Sequence, residues 1–167
     1  MSTCALTRRA AICAVGALAL SPAAAVAQGP VRFRNVEVDV GPLRASEGDP
    51  TAAWVAETLP GQLVHALGPY LSPGARAGAT LIARIDYLYL GPTSGGTGPA
   101  GASQDTIAGV LIVQGPRGSI AAETPLRAIT SYYPNAADNA LIVQSNYYRV
   151  AALAQAFAYW VPRQLGL

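Results

Sequence analysis

The sequence predicts an α+β two-layer sandwich: a mainly antiparallel sheet of about four strands with two helices on one face, in the order β-α-β-β-β-α after an N-terminal signal peptide. Three observations predict it. Ala79 to Leu90 (ATLIARIDYLYL) alternates with period two, the pattern of a half-buried strand. Two other stretches, around residues 51–71 and 143–161, repeat apolar residues at threes and fours, as an amphipathic helix does. Between two further strand-like runs lies Gly115-Pro116-Arg117-Gly118, a tight-turn sequence that makes them a hairpin.

The chain opens with Arg8-Arg9, an apolar run from Ala10 to Leu20, and a small-residue ending Ala25-Val26-Ala27. This order of basic, apolar and A-x-A segments predicts a secretory signal peptide over residues 1–27, and Pro22 with its alanines makes the run too short to span a bilayer. The residues after Arg8-Arg9 lack a twin-arginine continuation. Cys13 follows Ile12 and precedes most of the apolar run, so no lipid anchor is expected. Cleavage leaves a single domain over residues 28–167, with no transmembrane anchor and a periplasmic or secreted location.

Both cysteines, Cys4 and Cys13, fall in the removed segment, which excludes disulfides, thiolate metal sites and cysteine catalysis afterwards. Removing Arg8 and Arg9 lowers the formal charge from +2 to zero, with nine arginines against nine acidic residues and no lysine. A nucleic-acid role therefore lacks its basic footprint.

Val31 to Val40 alternates, but the parity changes at Asn35. Either a bulge sits there, or the strand begins there with Val36, Val38 and Val40 inward and Glu37 and Asp39 in solvent. The polar stretch Gly41 to Asp49 is a connection, and Asp49-Pro50 supplies an N-cap and a first-turn proline. The helix that follows packs Trp54, Val55, Leu59, Leu63, Leu67 and Leu71, with a kink or a division into two short helices at Pro60-Gly61. In the strand 79–90, Leu81, Ala83, Ile85, Tyr87 and Tyr89 form the core face. Thr80, Arg84 and Asp86 share the other with Ile82, Leu88 and Leu90. A Gly/Pro-rich loop at 91–103 is a mobile hairpin tip. Thr106 to Gln114 pairs with Ser119 to Tyr133, in which Ile120, Ala122, Leu126 and Ala128 face one way and Glu123, Arg127 and Ser131 the other; Pro125 argues for an edge position or a bulge. A last helix, capped by Asp138 or Asn139 and ended by Pro162, packs through Val143, Tyr147, Val150, Ala154, Phe157 and Trp160 or Val161. Trp54 and Phe157 are expected to be buried.

No catalytic residue, cofactor or metal is expected. His65, the lone histidine, has no metal or nucleophile motif around it, and Glu37 with Asp39 reads as a solvated strand face. The 91–103 glycines have no Gly-Lys-Ser/Thr ending and precede a strand, so phosphate binding has no mechanism. The element order and signal peptide resemble those of small envelope modules such as the LptE-type lipopolysaccharide-assembly component, the TolB N-terminal domain and the auxiliary subunits of envelope ABC transporters. That resemblance implies a non-catalytic exported (periplasmic) binding or assembly module of the cell envelope, and it carries over no functional residue. Its partner would be an envelope protein, a second copy or an amphiphile. The candidate surfaces are the second sheet face, with Ile82, Leu88, Val110 and Ile112, and a tyrosine cluster of Tyr132, Tyr133, Tyr147 and Tyr148. The alternative is a carboxylate-dependent hydrolase of the envelope, for example through Asp86 and Glu123.

Overall fold

The computed structural model describes residues 32–92, 102–133 and 142–167. The signal peptide, the cleavage site, the absence of a lipid anchor, most of the 91–103 loop and the Asp138/Asn139 cap lie outside the described residues. The elements are β1 (Phe33–Asp39), α1 (Gly41–Glu47), α2 (Thr51–Leu67), a short 3₁₀ turn (Gly68–Tyr70), β2 (Ala79–Tyr89), β3 (Ser103–Gln114), β4 (Ile120–Tyr132) and α3 (Ile142–Gln164). The four strands form one sheet in the order β1-β2-β3-β4. β1 runs parallel to β2, as its helical crossover requires, and the other two pairings are antiparallel. All three helices contribute to one core on one face of the sheet, giving the α+β sandwich the alternation predicts.

The register shifts in β1 between Phe33 and Asn35, so the bulge reading holds: Phe33 is fully buried, while Val36 and Val38 pack against the core's margin. A second bulge corrects the reading of β2. The register with β3 shifts between Ile85 and Tyr87, and the extra residue reverses the parity of everything after it. Leu88, expected on the outer face, is therefore buried in the core, and Leu90 packs against it. Tyr87 and Tyr89, expected inside, are exposed. Opposite the bulge stands Gly109, where an added Cβ would lie 2.1 Å from the Arg84 carbonyl oxygen; only glycine admits the β2 backbone this closely.

The stretch 41–49 is more ordered than a polar connection. Pro42 near its start and one inward residue, fully buried Leu43, make it a short helix. Asp49 does not cap α2, which has no side-chain cap, because its carboxylate accepts from Arg44 Nε at 3.3 Å. α2 is one helix through Pro60, with Val55, Leu59, Leu63 and Leu67 inward at the expected spacing. Trp54 is only partly buried, at the rim of that stripe. α3 likewise continues past Pro162 to Gln164, and its inward residues are Val150, Leu153, Ala154, Phe157 and Val161. Val143 and Trp160 face solvent. In β4, Leu126 and Ala128 are buried and Glu123, Arg127 and Ser131 exposed, as predicted. Ile120 and Ala122 are exposed, after a register slip beside the turn. β4 takes the edge position that Pro125 allowed, and Gln164 Nε2 donates to the Pro125 carbonyl at 3.1 Å.

Candidate functional site

With the helices committed to one face, the sheet's other face is built from the remaining residue of each cross-strand pair. Register orders it in rows running from β1 to β4: Glu37, Ile82, Ile112, Glu123; then Asp39, Arg84, Val110, Pro125. Beyond the bulge follow Tyr87, Ala108, Arg127 and then Tyr89, Thr106, Ile129. Ile82, Val110 and Ile112 are therefore brought together as expected, with Tyr87, Tyr89 and Ile129 extending the apolar strip. The first three are half-buried by their neighbours, and the last three are exposed. Sequence reasoning missed the two tyrosines, and the parity break at Leu88 and Leu90 was the available signal. Carboxylates rim the strip, and Arg84 Nε donates to Asp86 Oδ1 at 3.0 Å within it.

The register does not bring Asp86 and Glu123 together, nor Glu37 and Glu123. Glu37 and Glu123 end the same row on opposite edges, three strand spacings or roughly 14 Å apart. Asp86 lies in the bulge beside the Gly109–Ala108 step, whereas Glu123 pairs with Ile112, roughly 10 Å further along β3. Among the described residues, no three His, Cys, Asp or Glu side chains are grouped to hold a metal ion. His65 is exposed on α2, in a groove of about 470 Å³ between α2 and α3 lined also by Gln62, Pro69, Gln155, Tyr159 and Pro162.

The predicted tyrosine cluster divides into two parts. Trp54, Tyr147 and Tyr148 form a chain of edge-to-face rings, with centroids 6.2 and 6.0 Å apart, across α2 and α3. The Tyr147 hydroxyl donates to Glu57 Oε1 at 3.0 Å, and this bond to a carboxylate raises the phenol above its ordinary range. Tyr148 and Tyr133 are exposed. Tyr132 instead lies beneath the Arg149 guanidinium, 4.8 Å from ring centroid to Cζ, and shares a 2.9 Å hydrogen bond with Ser145.

Arg149, which sequence reasoning passed over, organises this end of the molecule. It is 7% exposed and paired with Asp105, which is 0% exposed. Nε donates to Asp105 Oδ2 at 2.8 Å and Nη2 meets Oδ1. Nη2 also reaches the Gly91 carbonyl at 2.6 Å and Ser103 Oγ at 3.2 Å, while the Gly91 amide donates to Asp105 Oδ1 at 3.0 Å. The pair ties α3 to the end of β2 and the start of β3, with every buried side-chain donor and acceptor satisfied among the described residues. It is a structural clamp rather than an open site.

No family model matches the chain, and no curated protein matches it in sequence. Among solved structures it is similar to a minor lipoprotein from Acinetobacter baumannii, at 13% identity and a TM-score of 0.42, covering 80% of this chain and 94% of that one. It is also similar to a candidate lipoprotein from Caulobacter crescentus CB15, at 15% identity and a TM-score of 0.45, covering 78% and 86%. At these scores the likeness assigns no activity and no partner to this chain. No described helix is long and apolar enough to cross a membrane.

Proposed function

We propose that this chain is a non-catalytic exported binding or assembly module of the cell envelope, acting through protein–protein or amphiphile contacts at the open face of its sheet. One observation carries the proposal. Ile82, Val110 and Ile112 are neighbours by register on the face opposite the helices, with Tyr87 and Tyr89 following beyond Arg84 on β2 and Ile129 across Thr106 on β4. Every helix buries its apolar stripe in the core on the other side, so the fold supplies no layer for this strip among the described residues. An apolar strip on an open sheet face is what a docking surface requires. The export pattern of residues 1–27 supports a location outside the cytoplasm, and the register does not bring together Asp86 and Glu123, the pair named for the hydrolase alternative.

Replacing Val110 and Ile112 with threonine tests this, because threonine keeps β-branching while adding a hydroxyl to the contact surface. The double variant should retain a cooperative circular-dichroism melt and lose self-association by light scattering, or lose capture of an envelope partner. A wild type that is monomeric and captures nothing contradicts the proposal.

A further inference from the structure

Formal charge cancels in residues 28–167, but the arginines are not evenly placed. β1 and β2 start, β3 ends, β4 starts, and α2 and α3 finish at one pole of the molecule. Five of the nine arginines after residue 31 are there, all exposed: Arg32, Arg34, Arg76, Arg117 and Arg163. Contacts connect them around the pole. Arg32 Nη1 donates to the Pro69 carbonyl at 2.7 Å, and Pro69 shares the α2–α3 groove with Tyr159 and Pro162. Arg34 Nε donates to Thr80 at 3.2 Å, at the foot of β2. Arg76 and Arg117 flank one shallow hollow with Pro116 and Ser119. Among the described residues none of the five is ion-paired, whereas Arg44, Arg84 and Arg149 all are. The nearest described carboxylates, Glu37 and Glu123, stand one row further into the sheet; a carboxylate at Leu167 would offset one of the five.

Apolar groups protrude among these charges. Tyr159 is 73% and Trp160 41% exposed on α3, their rings edge to face at 5.5 Å, with the Arg163 guanidinium 5.4 Å from the Trp160 centroid. Ile120 is exposed beside the turn that carries Arg117. We propose that this basic, aromatic pole docks on a bilayer of anionic phospholipid. Arginines meet the phosphates, while the tryptophan and tyrosine, apolar in body and polar at the tip, enter the headgroup region. An acidic protein would satisfy the arginines but gives no reason for exposed aromatic rings protruding between them. The pole is separate from the open sheet face, which leaves that face available while the module sits on a membrane.

The test is co-sedimentation of the exported protein with phosphatidylglycerol/phosphatidylcholine vesicles and with phosphatidylcholine alone. Binding should require the anionic lipid and weaken with salt. Each basic residue near such a surface contributes about fivefold in partitioning, so Arg76→Gln with Arg117→Gln should lower it about 25-fold. Trp160→Ala should also weaken binding, and Arg44→Gln, at the opposite pole and paired with Asp49, should leave it unchanged. All variants lie on the surface, and circular dichroism verifies their folding. Three results would overturn the proposal: equal binding to both vesicle types, unchanged binding of the double variant, or retention on polyglutamate matching that on vesicles with no effect of Trp160→Ala.

Discussion

Arg149 and Asp105 are 44 residues apart in sequence and in direct contact in the fold. Burying two charges costs more than an isolated ion pair returns, so such a pair persists only when its geometry is bidentate and its other atoms are bonded. Both conditions hold, since Gly91, Ser103 and Asn146 complete the guanidinium's partners and the Gly91 amide completes the carboxylate's. Asp105→Ala would leave a buried guanidinium and a buried amide without their acceptor. It should destabilise the protein by about 3–5 kcal/mol in chemical denaturation; a loss under roughly 1 kcal/mol would mean that water replaces the carboxylate. The residues that pack by periodicity alone, such as Leu59, Leu63 and Phe157, were legible in the sequence because spacing along one element determines their burial. The clamp was not, because its partners belong to different elements and neither lies in a recognisable motif.

At the scale of elements, the helix and strand periods located α2, β2, β3, β4 and α3, and of the two readings Pro125 allowed, an edge position or a bulge, β4 takes the edge. Three local features exceeded what periodicity carries. The bulge after Ile85 inverted the assignment of Tyr87, Leu88 and Tyr89, and its structural counterpart, Gly109, lies in another strand. The short helix α1 has a single buried residue and so no period to detect. Pro60 and Pro162 remain inside helices, where tertiary burial of the flanking turns overrides the local penalty. Gly61, exposed within α2, has nothing within 4 Å of where a Cβ would stand. Gly61→Ala should therefore stabilise the protein by about 0.5–1 kcal/mol, measured by denaturant midpoint at constant m-value. Destabilisation would show that the helix is distorted beside Pro60.

For the whole molecule, one layer of helices over one face of a mixed sheet leaves the opposite face, with Ile82, Val110, Ile112 and the exposed tyrosines, without a helical layer among the described residues. That a second face existed was legible from strand alternation; which aromatics belong to it depended on the bulge. The pole-to-pole charge asymmetry was hidden because arginines dispersed in sequence converge only through topology. The cysteines at positions 4 and 13 both precede the expected cleavage site, so a thiol introduced later is a unique reporter. Tyr87→Cys places one in the middle of the open face and Ala45→Cys places one on exposed α1, with the unmodified chain as background. Maleimide labelling of both, in the purified protein and in intact cells, measures directly whether the face is occupied. Tyr87→Cys should label readily when purified and at least tenfold more slowly in cells, while Ala45→Cys labels alike in both. Equal labelling at 87 in the two settings, for protein that purifies as a monomer, would contradict an occupied face.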